Sequence, residues 1–335
     1  MTTKHVRALI FGIVVSLLAL YFALKNVDIS SLTDSIFSAD PVWMLLVLFS
    51  YAMHFWLKAI RWRDLLEPVK RVSTKQAYPV MMTGFFANNF LPAHLGEFVR
   101  MYVGSKIYSV RKTEVLATIV LERILDFSVI ALMFGGVLAA GGAISGQLAY
   151  AGYVLVSITL LAWTAIFISL RFEQPALRFV GWMLKPLPAR IGQRLLSMLS
   201  LALAALHSMK SVRLVIRSIV LSLLQWSLVG LAIFAALKSV GIGIDAGAAV
   251  VTLAATVLAV SLPAAPGFFG TIQLAFVLAL VPYGISESDA LAGSVIFHII
   301  SYSYVMISGV IALQQLNIRI TDLRHEVDGD GKPIL

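Results

Sequence analysis

Polar positions along this chain of 335 residues fall in clumps, and the apolar runs between them are long enough to cross a bilayer, for which about 20 residues suffice. The first run, residues 6–24, follows Lys4 and Arg7 and reads as a retained signal anchor, because YFALKN makes a poor cleavage site. Residues 27–40 carry Asp28, Asp34 and Asp40 and no Lys or Arg, whereas the next run, 41–60, ends in Lys58, Arg61, Arg63, Lys70, Arg71 and Lys75. The excess of basic residues in cytoplasmic loops puts that basic cluster inside and the acidic stretch outside. Further runs occupy 114–140, 148–170, 214–237 and 290–313.

Two apolar segments do not read as simple crossings. Residues 76–92 are short and interrupted by Pro79, Gly84 and Pro92, and residues 246–281 are cut by Pro263, Pro266, Gly267 and Gly270. If neither crosses fully, only Lys25 and Lys238 fall outside and Arg123 within a span. A crossing by either would invert everything after it and spoil that asymmetry. The pattern therefore predicts an all-α polytopic membrane protein with six full spans, two re-entrant helical hairpins and both termini cytoplasmic. One integral membrane domain covers 1–316, with a polar cytoplasmic tail at 317–335. The basic segment 171–213 reads equally as helices lying on the cytoplasmic leaflet or as an ordinary positive-inside loop.

Composition narrows the class. Hydrophobic residues make up 59% and charged residues 13%, against roughly 25% charged in soluble domains, so the chain belongs in a bilayer. The absence of cysteine excludes structural disulfides and thiolate metal sites. A net charge of +9 raises the question of nucleic acid, but no helix-turn-helix spacing, RNP-like aromatic run or basic tail supports it. There is no G-x-x-x-x-G-K-[ST], H-E-x-x-H or G-x-S-x-G, so neither a cofactor nor a soluble-enzyme activity is expected.

The two broken segments share a signature. LPAHLGEF (91–98) returns as LPAAPGFF (262–269), agreeing at five of eight positions. The chain then divides into halves, 1–140 and 148–316, each ordered span, span, hairpin, span. Three crossings per half turn the second upside down, an inverted repeat of the kind that places broken helices around a substrate path. Chance matching in apolar sequence is the alternative.

Charges inside a span cost roughly 2.5–3.5 kcal/mol each on insertion scales, so those present pair up or face a cavity. LERILDF (121–127) places Glu122 and Asp126 on one helical face, with Arg123 able to neutralise the group in part and its planar fork suited to a lipid phosphate. A salt bridge that merely locks helices is the competing reading. Around the first break stand Asn88, Asn89, His94, Glu97 and Arg100, with Glu97 and Arg100 able to hold a headgroup or each other. Pro266, Gly267 and Thr271 line the second break, and His298 shares a helical face with Ser294, Ser301 and Tyr302.

The motifs N-x-F-L-P-x-x-L-G-E-x-x-R (Asn88–Arg100), E-R-x-x-D (Glu122–Asp126), Arg61-Trp62-Arg63 and P-x-x-P-G-x-x-G-T (Pro263–Thr271) resemble the lysylphosphatidylglycerol synthase transmembrane region family, from about residue 5 to 316. The resemblance implies a flippase-like fold that moves anionic or aminoacylated phospholipid between leaflets of the cytoplasmic (inner) membrane. Fused members carry a soluble aminoacyl-transferring domain with no counterpart here, so lysine transfer is not expected. The family's second motif usually continues P-G-G-x-G-x-x-E; Phe268 stands here for the second Gly and Gln273 for the Glu, which puts an amine contact there in doubt. The expected partner is a membrane lipid bearing phosphate. The rival readings are a membrane-embedded transferase and a non-transporting partner of a lipid-modifying enzyme.

The topology predicts that single cysteines at Ser145 and Ser286 react with an impermeant maleimide on intact cells, while one at Lys185 does not. Labelling at Lys185 would overturn it.

Overall fold

The computed structural model describes residues 3–25, 27–91, 95–141, 146–186, 192, 193, 196, 200, 212–261 and 265–319. Ser145 and His94 lie outside them. Among the described residues the chain is all-helical with no strand. The helices in order are α1 (Thr3–Leu24), α2 (Ile29–Phe37), α3 (Pro41–Leu66), α4 (Thr74–Asn88), α5 (Gly96–Tyr108), α6 (Lys112–Ala139), α7 (Gly146–Arg171), α8 (Glu173–Met183), α9 (Val212–Ser239), α10 (Ala246–Ser261), α11 (Thr271–Leu280) and α12 (Glu287–Gln315).

Helix starts are written in the side chains that satisfy the first free N–H groups. Asp40 accepts from the Val42 N–H at 2.8 Å ahead of Pro41, Ser73 and Gln76 form a reciprocal capping box, and Ser286 accepts from the Asp289 N–H at 3.1 Å. The short α2 begins the same way at Asp28, which accepts from the Ser30 N–H at 3.0 Å.

Four described helical stretches are long and apolar enough to cross a membrane: Pro41–Leu66, Arg213–Ser239, Pro266–Tyr283 and Glu287–Gln315. Helix α6 has 28 residues, about 42 Å at 1.5 Å per residue, but carries Glu122, Arg123 and Asp126 in its middle. Large apolar side chains such as Leu17, Leu45, Phe49, Leu160, Leu161 and Ile307 face outward, as expected of a multi-pass membrane protein.

Helix α3 corrects one reading. It runs on to Leu66, so Lys58 and Arg61 lie buried within a helix and not in a basic loop. The positive-inside rule counts charges along the chain and cannot tell a loop lysine from one turned into the bundle.

Helices α3 and α9 form the most extensive pairing, and the others come in sets: α4 packs on α12 as α10 packs on α6, α3 on α6 as α9 on α12, α3 on α4 as α9 on α10, and α5 on α6 as α11 on α12. Small residues make these approaches possible where lipid supplies no hydrophobic drive between helices. Ala232, Ala235, Ala236, Ala248 and Ala254 are all buried around α9 and α10.

Helices α4 and α5 approach closely. A Cβ on Gly84 would stand 2.8 Å from the Arg100 Cβ and 2.9 Å from the Gly96 carbonyl oxygen, and one on Gly96 would run into the Gly84 carbonyl and meet Asn88 Oδ1 at 2.5 Å. Asn88 Oδ1 accepts from the Gly96 N–H at 2.8 Å, so a side chain stitches the two arms where the backbone ladder is interrupted. The second break is held differently. A single 3₁₀ turn, Pro266–Phe268, precedes α11, with φ of 80° at Gly267 and 84° at Gly270. Ala265 N–H donates to Ser16 Oγ of α1 at 3.0 Å.

Gly96→Ala should therefore lower stability by about 1–3 kcal/mol, as overpacking does. Gly136→Ala, where nothing lies within 4 Å of the added Cβ, should not. Thermal unfolding of detergent-purified protein measures the difference.

Candidate functional site

The helical periodicity of three segments brings their polar residues to one place. On α3, His54, Lys58 and Arg61 recur at helical spacing, and on α9 Ser218, Ser222 and Gln225 do the same. Both stripes turn toward the Glu122 and Asp126 face of α6, so the pairing of α3, α6 and α9 closes a polar core inside an apolar bundle.

Asp126 is the hub. Its Oδ2 accepts from Lys58 Nζ at 2.7 Å, and its Oδ1 from Arg61 Nη1 at 2.8 Å, Gln225 Nε2 at 2.8 Å and Trp226 Nε1 at 2.9 Å. Glu122 receives Lys58 Nζ at 3.2 Å and both terminal nitrogens of Arg100, at 3.2 and 2.8 Å. Arg100 lies flat on Trp62, its Cζ 3.9 Å from the ring centroid, and Trp62 Nε1 donates to Thr118 Oγ1 at 3.0 Å. Arg61 Nη1 also donates to Ser222 Oγ at 2.5 Å. These five charged residues are almost wholly buried, Asp126 being the most exposed at 3%. Three cations meet two carboxylates, which leaves one positive charge in excess.

Arg123 faces another way. It pairs with Glu97 of α5 at a half-buried position. This differs from the expectation that Arg123 neutralises its own helix neighbours, because one helical step of about 100° turns it away from their face. Likewise Glu97 and Arg100 do not pair with each other; Arg100 goes to Glu122 and Glu97 to Arg123.

Between the two breaks lies a cavity of about 190 Å³. Its polar wall includes His54, Lys58, Asn88, Asn89, Arg123 and His298, and Gly267 and Phe268 of the second break also line it. Phe85 lines it with Lys58 Nζ 5.8 Å and the Arg123 Cζ 5.9 Å from its ring centroid. Of the residues singled out from the sequence, Asn88, Asn89, Arg123, Gly267 and His298 border this space. Arg100, Glu122 and Asp126 sit behind Lys58, and Glu97 stands behind Arg123. Pro266, Thr271 and Gln273 shape the second break.

That shaping follows one hydrogen-bonded chain. The Gly270 N–H donates to Gln273 Oε1 at 2.8 Å, Gln273 Nε2 lies 3.0 Å from His298 Nδ1, and His298 Nε2 lies 2.8 Å from the Gly267 carbonyl oxygen. A carbonyl oxygen only accepts, so Nε2 carries the proton and Nδ1 accepts from the glutamine. Thr271 Oγ1 donates to the Phe268 carbonyl at 2.9 Å. Phe268 has φ of 60°, a left-handed backbone that a glycine adopts without strain.

Sequence reasoning passed over His54, Ser222, Gln225 and Trp226, and placed Lys58 and Arg61 in a basic loop. The available signal was the spacing itself: His54-x-x-x-Lys58-x-x-Arg61 and Ser218-x-x-x-Ser222-x-x-Gln225 are polar stripes on apolar helices.

The family model described as lysylphosphatidylglycerol synthase TM region matches residues 9–309. A protein of Haloferax volcanii named glycosyltransferase AglD is 24% identical over 359 aligned residues, with 95% of this chain aligned to 56% of that relative's length. A UPF0104 membrane protein of Methanothermobacter thermautotrophicus is 24% identical over 337 residues, covering 95% of this chain and 98% of the relative. The chain thus spans little more than half of the Haloferax protein.

Asp126→Asn should cost about 3–5 kcal/mol, because it leaves Lys58 and Arg61 short of a carboxylate in a dry interior. Adding Lys58→Met should recover part of that loss. Thermal unfolding of the single and double variants gives the coupling, and additive losses would mean that the two residues do not act as a unit.

Proposed function

The chain belongs to the lysylphosphatidylglycerol synthase transmembrane region family, and from that premise we propose that it is a lipid translocator which moves a phosphate-bearing lipid between leaflets of the cytoplasmic membrane. The observation that carries this reading is the cavity between the two helix breaks, with Lys58 and Arg123 on its wall. Interrupted backbone is tolerated at membrane depth only where protein buries it or a cavity adjoins it. Here both interruptions border the same space. A headgroup enters it, its phosphate meets the cations, and the acyl chains remain in lipid.

In this reading α1, α3, α6, α7, α9 and α12 are full spans, α4/α5 and α10/α11 are re-entrant hairpins entering from opposite sides, and both termini are cytoplasmic. Support for an inverted repeat comes from the matched helix pairings and from one contact at the centre of the α3–α9 pair. His54 Nδ1 lies 2.9 Å from the Gln225 carbonyl oxygen, and the two are 171 positions apart, the same offset as separates the two breakers. Residues related by a two-fold meet each other where the axis passes between them. Alternating exposure would then arise from rocking one half against the other around the central site.

No catalytic step is assigned to the chain. The rival reading, a membrane portion or partner of a lipid-modifying transferase, draws on the printed name of the Haloferax relative, whose length this chain only partly covers.

Liposomes containing the purified chain and a labelled phospholipid decide between them. The translocator reading expects label in the inner leaflet to become accessible to an impermeant quencher at a rate that scales with protein. Gly267→Leu should abolish it, since even a Cβ there meets Phe269 at 2.7 Å and Tyr302 at 3.1 Å beside the cavity. Wild-type liposomes no faster than empty ones would refute translocation.

A further inference from the structure

We propose, building on the translocator reading, that the cavity selects a small phosphate headgroup that carries no amine, and turns away zwitterionic and aminoacylated lipids. The argument rests on which charges face the space and which do not. Its described wall contains Lys58 and Arg123 and no carboxylate.

Every carboxylate nearby is already committed. Glu122 and Asp126 are held by Lys58, Arg61 and Arg100, and Glu97 by Arg123. Because the inner cluster retains one positive charge beyond its carboxylates, it favours an anion brought into the cavity and repels an ammonium. Asn89 adds a donor. It borders the cavity, is 9% exposed, and its Nδ2 has no hydrogen-bond partner. A phosphate oxygen satisfies that group, whereas an ammonium cannot, having no lone pair to offer.

Aromatic walls offer a second way to hold an amine, by stacking a cation on a ring. Two rings of the wall already face the protein's own cations: Lys58 and Arg123 approach Phe85, and Lys58 also lies 5.8 Å from the Trp226 centroid. At the second break Gln273, a neutral side chain, is spent on Gly270 and His298 and presents no charge to a headgroup amine. The cavity volume of about 190 Å³, below the roughly 300–1,000 Å³ of sites for drug-sized ligands, is in keeping with a compact headgroup.

Two measurements test this separately from transport itself. In the first, the Tm of the detergent-purified full chain is followed with dihexanoyl phosphatidic acid, dihexanoyl phosphatidylethanolamine, dihexanoyl phosphatidylcholine and inorganic phosphate. Phosphatidic acid should raise Tm at concentrations at least ~10-fold lower than either zwitterionic lipid. Equal shifts from all three lipids, or none, would overturn the selectivity. A shift from inorganic phosphate matching that from phosphatidic acid would assign the site to a soluble anion and overturn the lipid headgroup. In the second, liposomes report transport of labelled phosphatidic acid, phosphatidylethanolamine and lysylphosphatidylglycerol, with the first expected at least ~10-fold faster. Equal transport of all three would refute the selectivity and leave the translocator reading standing. Selective binding without any transport would do the reverse. Asn89→Asp, close to isosteric, should weaken the phosphatidic acid shift at least ~10-fold, and Asn89→Ala should weaken it less; an unchanged shift in Asn89→Asp would overturn the assignment of Asn89 to the headgroup site.

Discussion

A carboxylate buried in a bilayer-spanning bundle must be surrounded by donors, and this requirement at Asp126 organises the protein. Four donors from two other helices converge on it, and Glu122 one turn earlier ties in a third through Arg100. Helices α3, α5 and α9 are thereby fixed in register around α6. Such a network is poor evidence for stability, since desolvating the ions offsets most of their attraction. Its effect is specificity: sliding α3, α5 or α6 by a turn leaves a buried charge unpaired, and sliding α9 strips Asp126 of two donors.

The two breaks reach the same cavity by different local chemistry. At the first, an asparagine side chain takes over for the missing ladder, and two glycines let α4 and α5 touch backbone to backbone. At the second, glycines in left-handed conformations turn the chain, and a Gly270–Gln273–His298–Gly267 hydrogen-bond chain secures it from α12. Phe268 shares that left-handed backbone at a position where a glycine would be free of strain, so the local geometry is imposed by its surroundings and not by its own preference.

Charge placement separates the two roles of the polar residues. Arg100, Arg61, Glu122 and Asp126 lie behind the wall and hold the helices, whereas Lys58 and Arg123 belong both to an ion pair and to the cavity surface. A cation placed in this way is fixed in position by its carboxylate yet remains available to a headgroup. The arrangement is preorganised, because neither side chain has to be ordered when an anion arrives.

Much of this was legible in the linear chain. The apolar runs specify a helical membrane protein, and the E-R-x-x-D cluster marks the charged helix, because bilayer thickness and the cost of buried charge act on local sequence; the proline and glycine residues mark both broken segments, although α4 runs unbroken through Pro79 and Gly84, which were read as interruptions. Helical spacing also carried the stripes on α3 and α9, though Lys58 and Arg61 passed for loop residues because charge counting ignores direction. Tertiary structure alone decided the partners. Glu97 and Arg100 stand three positions apart and were natural partners in sequence, yet they pair with α6 on different faces, since each follows the nearest opposite charge in three dimensions. The cavity, too, belongs to no single segment: it exists because two broken segments written far apart both pack against α6 and α12, and only the folded bundle sets that distance.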